Sequence, residues 1–301
     1  MESYSNISIP VLFLVFNRIT TTKKVFWQIK KVKPPRLYIA ADGPRENILD
    51  EVKEVREVRE FVLNNIDWKC EVKTLFREKN LGCGKAVSSA ITWFFENEEE
   101  GIILEDDTFP SLSFFRFCED LLKRYRNDMR VGQISGCNFQ KGNWRGEGDY
   151  YFSIYNHIWG WATWRNRWEK YDFELKNIND DNFLEKLHKG TELRYWRKIF
   201  WRMKRMEIDT WDYQWTFTFW FNKWLCVLPN VNMVSNIGFN FGGTHTQLEK
   251  WYSNLPIKEL VVQKHPQKLE RDFEADKFTF KYVFASECVI KRVINKIRKF
   301  L

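Results

Sequence analysis

The first hundred residues alternate short apolar runs with longer amphipathic stretches. The apolar runs are "PVLFLVF" at 10–16, "RLYIAAD" at 36–42, "CEVKTLFR" at 70–77 and "GIILEDD" at 101–107. The stretches between them have the apolar spacing of helices, as in "TTTKKVFWQIKKV" and "GKAVSSAITWFFEN". Strands that alternate with helices are typical of βαβ units. We therefore predict an α/β fold with a mixed, mostly parallel sheet flanked by helices.

Polar residues follow the predicted strands, at the edge where parallel sheets bind ligands. The candidates after the first, second and fourth strands are Asn17, Arg18, Asp42, Glu105, Asp106 and Asp107. The loop "REKNLGCGK" after the third strand has two glycines and then Lys85 at the start of a helix. A helix N-terminus of this kind could bind an anion, although an ordinary strand-to-helix turn explains the same residues.

The acidic triplet from Glu105 to Asp107 is the sharpest chemical signal in the sequence. Three adjacent acids repel one another, and burying them without partners costs several kcal/mol. A hard divalent cation, bound through carboxylate oxygens and completed by phosphates and water, removes that cost. The alternative is an exposed acidic turn that begins the next helix, because Asp and Thr are good helix N-caps.

Composition narrows the class of protein. The chain has 301 residues and 44% hydrophobic content, which suits one large domain or one domain with an appendage. Its six cysteines are scattered without metal-ligand spacing, so we predict a reducing, cytoplasmic compartment. The N-terminus reads as a first strand rather than a signal peptide. No segment approaches the roughly 20 apolar residues that span a bilayer.

Charge and aromatic content point to a class of partner. A formal charge of +8 favours a nucleotide, a nucleic acid or an acidic membrane surface. Aromatic residues make up 17% of the chain and could stack on sugars or bases, although an aromatic-rich core is the simpler explanation for most of them. The basic residues form no recognisable nucleic-acid-binding motif, so we expect no nucleic-acid partner.

The sequence resembles the GT-A glycosyltransferases, whose nucleotide-binding half ends in a D-x-D or E-D-D signature after a hydrophobic strand. It is most similar to the N-acetylglucosaminyltransferase I type, which carries "EDD", and to related bacterial sugar transferases. The matching segments run in order from about residue 10 to 246 and are "PVLFLVFNR", "AADGPR", "REKNLGCGKAV", "GIILEDDTFPSLSFFRF", "HIWGWATWRNRWEKYD", "TWDYQWTFTFW" and "NVNMVSNIGFNFGGTHT".

The resemblance implies a nucleoside-diphosphate sugar donor, most often a UDP-sugar, and a divalent metal, Mn²⁺ or Mg²⁺, that holds its diphosphate. Asp107 would be the direct metal ligand, while Glu105 and Asp106 would face the ribose or support the metal ligands. Many GT-A enzymes use a late histidine as a further metal ligand, and His245 in "GGTHT" occupies that place. A structural role for this histidine stays open.

The resemblance also assigns residues to the donor. Asn17 and Arg18 would lie near the nucleotide, and Asp42 would meet the base. Trp161, in "HIWGWATW", belongs to a segment similar to the glycine and aromatic loop that closes over donor sugars. Lys85 stays a candidate for binding the same ligand because of its place at the helix N-terminus described above, not because of the resemblance.

The second half has to bind the acceptor and supply a base. Asp212 lies in "IDTWDYQWTFTFW", a setting similar to that of the family's base, and acids among apolar side chains are suited to this role. Glu207 and Asp209 are its competitors. The predicted reaction is inverting transfer to a glycan or a lipid-linked glycan. A retaining transferase, a nucleotidyltransferase, or a non-enzymatic protein that binds nucleic acid or glycan are the alternatives.

We divide the chain into a catalytic domain, 1–246, and a C-terminal extension, 247–301. Residues 1–108 of the domain would bind the nucleotide sugar and 109–246 the acceptor. The extension ends in "SECVIKRVINKIRKFL", an apolar stripe with a basic face. That pattern is typical of a helix on an anionic membrane, although packing on the domain is an alternative. We expect peripheral attachment to the inner face of the cytoplasmic membrane.

Overall fold

A computed structural model describes residues 6–180, 182–239 and 251–285. The strands, in chain order, are β1 (Val11–Val15), β2 (Arg36–Ala41), β3 (Glu71–Phe76), β4 (Glu100–Glu105), β5 (Thr108–Pro110), β6 (Val131–Ser135), β7 (Tyr150–Ser153), β8 (Trp161–Trp164), β9 (Leu225–Pro229) and β10 (Val234–Asn236). The α-helices are α1 (Ile19–Val32), α2 (Glu51–Asn64), α3 (Cys83–Asn97), α4 (Leu112–Tyr125), α5 (Arg165–Trp168), α6 (Asn182–Leu187), α7 (Gly190–Lys204), α8 (Asp212–Phe221) and α9 (Phe273–Thr279). A π-helical turn, Phe280–Phe284, continues α9.

The centre of the fold is an eight-stranded sheet with the order β3-β2-β1-β4-β8-β6-β9-β7. Strands β1 to β4 are mutually parallel where they pair. Beyond β4 the sheet is mixed, because β8 pairs antiparallel with both β4 and β6, while β9 pairs parallel with β6 and antiparallel with β7. The predicted mixed α/β class is therefore confirmed, and the order 3-2-1-4 is that of Rossmann-like sheets.

Burial on both faces explains the apolar runs of the first strands. Every residue of β1 is buried, and β2 is buried from Leu37 onward. Strands covered by helices on both sides read as continuous apolar runs rather than alternating ones. Gly101 lets α3 approach β4, since a Cβ at this position would lie 2.2 Å from Cζ of Phe94. Because β1 and β2 are buried, the polar residues that follow them mark the places where the chain leaves the core.

An aromatic cluster fills the space between the sheet and helices α5, α7 and α8. Trp161 stacks on Trp211 with ring centroids 5.6 Å apart, and Trp168 packs against Trp215 at 5.1 Å. The Nε1 of Trp215 donates a hydrogen bond of 2.7 Å to Oε1 of Gln133. The simpler explanation of the aromatic content, an aromatic-rich core, holds for these tryptophans.

Residues 251–285 pack against the second half of the sheet. Glu259 accepts hydrogen bonds from the first amide groups of α4, and Asp149 accepts from the amides of Gln263 and Lys264. The boundary predicted after residue 246 and the basic helix predicted at 286–301 lie outside the described residues. In the described part of the chain, no helix combines the length and the apolar character needed to cross a membrane.

Candidate functional site

A cavity of about 260 Å³ opens at the carboxyl ends of β1, β2 and β4, beside the first half of α3. We call it the strand-end cavity. It lies where the sheet order reverses between β1 and β4, the position at which open α/β sheets bind ligands. The acids on its wall are Asp42, Glu105, Asp106, Asp107 and Asp209. The arginines on its wall are Arg18, Arg45 and Arg77.

Glu105 is the last residue of β4, and Asp106 and Asp107 form the turn into β5. Nη1 of Arg18 donates to Oδ2 of Asp107 at 2.8 Å, and the amide of Phe16 donates to Oδ2 of Asp106 at 3.3 Å. The hydroxyl of Thr108 accepts from the amide of Glu105 and donates back to its carbonyl, both at 2.9 Å. The turn therefore holds the three carboxylates against the end of β1.

Burial and mutual repulsion change the acidity of the triplet. Burial, with the charges of Asp107 and Asp106, raises the pKa of Glu105 to about 8. Burial and the charge of Asp107 raise the pKa of Asp106 to about 7, and burial also raises the pKa of Asp107 although Arg18 opposes that shift. One guanidinium against three carboxylates leaves this end of the cavity short of positive charge.

The residues of the triplet suit a divalent cation that shares its ligands with phosphate. No three His, Cys, Asp or Glu side chains among the described residues converge to hold a metal ion by themselves. Mg²⁺, however, is commonly bound through one or two carboxylates, with phosphates and water in its other positions. Asp107 on the cavity wall, with an adjacent acid, fits that pattern. His245 lies outside the described residues.

Strand β10 fixes the position of Asp107 from the opposite side. The amide of Ile237 donates to the Asp107 carbonyl at 2.8 Å, and Nδ2 of Asn236 approaches Oδ1 of Asp107 at 3.4 Å. A Cβ at Gly238 would lie 2.3 Å from Oδ2 of Asp107, so any larger residue there would displace the carboxylate. Sequence reasoning missed Asn236 and Gly238, although both belong to the segment "NVNMVSNIGFNFGGTHT" that carries the resemblance.

Asn17 lies behind the cavity wall rather than on it. Its Nδ2 donates to the carboxylates of Glu51 and Glu54, at 3.0 and 3.3 Å. Arg45, which is on the wall, contacts the fully buried Glu51 through its amide and its guanidinium. Asn17 therefore ties the β1–α1 loop to α2. Sequence reasoning missed the Arg45–Glu51 pair.

Asp42 lies on the cavity wall as predicted and also shapes it. Its two carboxylate oxygens accept from the amide of Leu81 at 3.1 and 2.9 Å, and burial raises its pKa. Nη2 of Arg59 donates to the carbonyls of Asp42 and Arg77 at 2.9 and 2.7 Å. These bonds join the ends of β2 and β3 to the loop that leads into α3.

The N-terminus of α3 holds a carboxylate of this chain instead of a ligand anion. Oδ2 of Asp209 accepts from the amide of Cys83 at 2.9 Å, and Oδ1 accepts from the amide of Gly84 at 2.8 Å. Gly82 permits this contact, since its φ is +78° and a Cβ there would lie 2.6 Å from Oδ2 of Asp209. Lys85 is exposed and is not on the cavity wall. The expectation of a ligand at this helix end is therefore corrected.

A second cavity of about 200 Å³ lies beside α8 and contains the predicted base. We call it the aromatic cavity. Asp212 is on its wall, and Oδ1 of Asp212 accepts from the Thr210 hydroxyl at 2.5 Å. The charge of Asp212 also contributes to the raised pKa of Glu105, so the two cavities are electrostatic neighbours. Segment 209–212 places Asp209 in the strand-end cavity and Asp212 in the aromatic one.

Two further sequence-derived assignments change with the structure. Glu207, a competitor of Asp212, is an exposed residue that pairs with Arg202 and Arg205 at 3.1 and 2.6 Å. Trp161, the candidate for contact with a donor sugar, is fully buried in the aromatic cluster and is on neither cavity wall. Its ring packs against those of Trp168, Trp211 and Trp215. Its neighbour Trp159 is on the wall of the aromatic cavity.

Comparisons with known proteins give a distant likeness only. No protein-family model and no curated protein sequence matches the chain. It is similar to HddC from Yersinia pseudotuberculosis at 10% identity and a TM-score of 0.33, over 56% of this chain and 84% of that one. The glycosyltransferase GlyE of Streptococcus pneumoniae TIGR4 has 10% identity and a TM-score of 0.31, over 62% and 42%. An apo UDP-glucose pyrophosphorylase has 8% identity and a TM-score of 0.35, over 75% of this chain and 93% of that one. TM-scores this low carry no argument about function.

The raised pKa values of the triplet predict how stability depends on pH without a metal ion. A carboxyl group whose pKa is higher in the folded state stabilises the fold at low pH, and this stability is lost as pH rises through the folded pKa. We therefore expect the free energy of unfolding, measured with denaturant in a chelating buffer, to fall between about pH 5 and about pH 9. Glu105→Gln should flatten that slope.

Glu60→Gln is the matched control, because Glu60 is an exposed residue of α2. It should leave the slope unchanged. A Glu105→Gln variant with the same pH slope as the parent protein would contradict the electrostatic description of the triplet.

Proposed function

We propose that the protein is a glycosyltransferase that moves a sugar from a nucleoside-diphosphate sugar, with UDP the expected nucleotide, to a hydroxyl group of a glycan or lipid-linked glycan. The observation that carries this proposal is the pairing of two cavities across segment 209–212. One cavity has acids and arginines at the switch point of a Rossmann-like sheet, and the other has aromatic walls and the carboxylate of Asp212. Group transfer between two bound substrates needs such a pair of adjoining sites.

The strand-end cavity has suitable chemistry for the donor. Part of its wall is apolar, formed by Ala40, Ala86 and Ala90, and could receive a planar base. Asp42 lies at the same wall, and a carboxylate oxygen that accepts one amide keeps a lone pair for a base N–H. Arg18 and Arg45 carry positive charge towards a diphosphate, which guanidinium groups bind in a fork geometry.

A divalent cation, Mn²⁺ or Mg²⁺, would be held by Asp107 together with an adjacent acid of the triplet. When bound, such a cation neutralises the charge that develops on a departing diphosphate. Arg18 already contacts Asp107 and would keep that carboxylate oriented. A bound cation would favour the ionised forms of Glu105 and Asp106, whose pKa values are raised by burial and by the neighbouring carboxylates.

We propose Asp212 as the general base that removes the proton of the acceptor hydroxyl. It is the acid on the wall of the aromatic cavity, and Thr210 orients one of its oxygens. In this proposal the acceptor hydroxyl gives its proton to Asp212 as its oxygen attacks the anomeric carbon, while the bond to the diphosphate breaks on the opposite face. A single displacement of this kind inverts the anomeric configuration.

Nucleotidyl transfer is the alternative that the strand-end cavity also supports. Three arginines on one wall could neutralise a triphosphate as well as a diphosphate. The released product separates the two reactions, since glycosyl transfer releases a nucleoside diphosphate and nucleotidyl transfer releases pyrophosphate. The aromatic cavity with its carboxylate favours glycosyl transfer, because nucleotidyl transfer to a sugar phosphate would bring an anion towards Asp212.

A membrane-facing location extends the same proposal. The net charge of +8 and the exposed basic residues of α7 would favour an anionic membrane surface on the cytoplasmic side. Apart from Trp196, the residues of α7 do not line either cavity. Membrane attachment would thus leave the described cavities open to a lipid-linked acceptor.

The metal-binding role of Asp107 predicts the effect of Asp107→Asn. Removal of a direct carboxylate ligand should weaken Mn²⁺-dependent binding of UDP by more than the ~10- to 100-fold that loss of a group supporting a metal ligand costs. The fold should survive, because the substitution also relieves repulsion within the triplet. Calorimetric titration of UDP with and without Mn²⁺ measures both affinities.

Asp67→Asn is the control for charge, since Asp67 is an exposed acid that pairs with Lys30 far from the cavity. It should bind as the parent protein does. If UDP binding depended on Mn²⁺ equally in Asp107→Asn and Asp67→Asn, Asp107 would not be a metal ligand.

The general-base role of Asp212 predicts a loss of turnover without a loss of donor affinity. General-base help is typically worth ~10²- to 10⁴-fold in rate, so kcat of Asp212→Asn should fall on that scale. Asparagine keeps the shape of the side chain, and Asp212 is not on the wall of the strand-end cavity. Steady-state assays of nucleoside-diphosphate release with a hydroxyl acceptor, together with UDP titrations, separate the two effects.

Glu207→Gln is the control, because Glu207 is an acid close to Asp212 in the sequence that is on neither cavity wall. Its kcat should stay close to that of the parent protein. An Asp212→Asn enzyme that turns over at the parent rate would assign the base to another residue.

A further inference from the structure

The aromatic cavity has walls suited to a ring-shaped ligand. Phe139, Trp159 and Tyr252 form a connected aromatic surface, with ring centroids 5.2 Å apart for Phe139 and Trp159 and 5.8 Å apart for Trp159 and Tyr252. Aromatic faces of this kind pack against the apolar C–H face of a sugar as well as against other rings. These three rings therefore line the cavity with an aromatic surface.

Two buried polar side chains on the same walls have nitrogen atoms without a partner. Asn156 and His157 are 6% and 8% exposed, and both line the cavity. No described residue provides a hydrogen bond to Nδ2 of Asn156 or to Nε2 of His157. An unsatisfied buried polar group costs about 1–3 kcal/mol, so a protein retains such groups where a ligand or water completes them.

The charges around the cavity select against an ionic ligand. Asp212 is on the wall and the acidic triplet lies nearby, which disfavours phosphate or carboxylate. Burial lowers the pKa of His157 to about 3, so its ring is neutral at physiological pH and does not attract an anion. A quaternary ammonium would suit the aromatic walls, but it has no acceptor for the amide N–H groups of Asn156.

The volume of the cavity limits the size of the ligand. About 200 Å³ is below the ~300 to 1,000 Å³ of pockets that enclose drug-sized molecules. One sugar ring is a ligand of suitable size, whereas an oligosaccharide would have to extend beyond the cavity. Hydroxyl groups can both donate and accept, which matches the amide of Asn156, the imidazole of His157 and the carboxylate of Asp212.

We propose that the aromatic cavity is the binding site for one neutral, polyhydroxylated sugar ring, stacked on Trp159 and Tyr252 and hydrogen-bonded to Asn156 and His157. Its role as the acceptor's terminal residue rests on the glycosyl transfer proposed above, because that role requires a hydroxyl group beside Asp212. Binding of the ring itself does not depend on the reaction and can be measured separately.

The C-terminal part of the chain completes this site. Val283 and Phe284, in the π-helical turn, are on the cavity wall together with Tyr252. Nε1 of Trp251 donates to the carbonyl of Tyr282 at 2.8 Å, which joins the two segments. Gln140, beside Phe139, donates to the Thr279 hydroxyl at 2.9 Å and fixes α9 against the domain. Residues 251–285 therefore contribute to the choice of sugar.

The test is saturation-transfer NMR with a panel of methyl glycosides, in the absence of nucleotide and metal. We expect at least one glycoside to bind, with saturation strongest at protons on one face of the ring. Asn156→Leu and His157→Phe should each weaken that binding about tenfold or more, the effect of losing a hydrogen bond to the ligand. Asn97→Leu, at an exposed position at the end of α3, should not change it.

Thermal unfolding distinguishes a binding role from a structural one. Asn156→Leu removes a buried amide nitrogen that has no hydrogen-bond partner, so its Tm in the absence of ligand should equal or exceed that of the parent protein. A lower Tm together with unchanged glycoside binding would show that Asn156 supports the core and would overturn the proposal.

The remaining outcomes separate this inference from the proposed function. Glycoside binding that both variants leave intact, or binding of tetramethylammonium with no glycoside bound, would overturn the sugar site. Binding of UDP and Mn²⁺ with no glycoside binding would also overturn the sugar site, but it would support the donor site. Glycoside binding that the variants abolish, in a protein that binds no nucleotide, would support the sugar site and contradict the glycosyl transfer.

Discussion

The mutual repulsion of three carboxylates at the end of β4 is the constraint on which the site depends. Glu105, Asp106 and Asp107 are held together by the turn into β5, and Arg18 at the end of β1 is in contact with only the last of them. Strand β10 closes on Asp107 from the other side through Asn236 and Gly238. The sheet therefore holds negative charge at its switch point, where a cation would relieve the repulsion.

Segment 209–212 connects this charge to the second cavity. Asp209 is fixed at the N-terminus of α3, where the backbone amides of Cys83 and Gly84 stabilise its carboxylate. Three residues later Asp212 begins α8 and faces the aromatic cavity. The same short segment thus forms part of both walls, and a shift of α3 would move both acids. This arrangement explains why an apolar helix such as α8 begins with an acid.

Local sequence patterns predict the strand-end cavity well and the aromatic cavity poorly. Arg18, Asp42 and the triplet were predictable because parallel strands bring their carboxyl ends to one edge. The occupant of the α3 N-terminus was not, because Asp209 lies 125 residues from Gly84 and only the tertiary fold brings them together. Trp159 and Trp161 are both aromatic residues of the same segment, and only tertiary packing buries Trp161 while leaving Trp159 half-buried on the wall of the aromatic cavity. Asn156 belongs to no motif, and His157, although it begins the segment "HIWGWATWRNRWEKYD", carries no feature that marks it as a binding residue.

The central claim is that the two cavities hold donor and acceptor side by side. Paramagnetic broadening by Mn²⁺ tests it most directly, because the effect on ligand protons falls steeply with distance. The ring protons of a bound methyl glycoside should broaden when UDP and Mn²⁺ are both present, and should remain sharp when Mg²⁺ replaces Mn²⁺ or when Asp107 is replaced by Asn. Sharp glycoside resonances in a complex in which UDP, Mn²⁺ and glycoside are all bound would contradict the account.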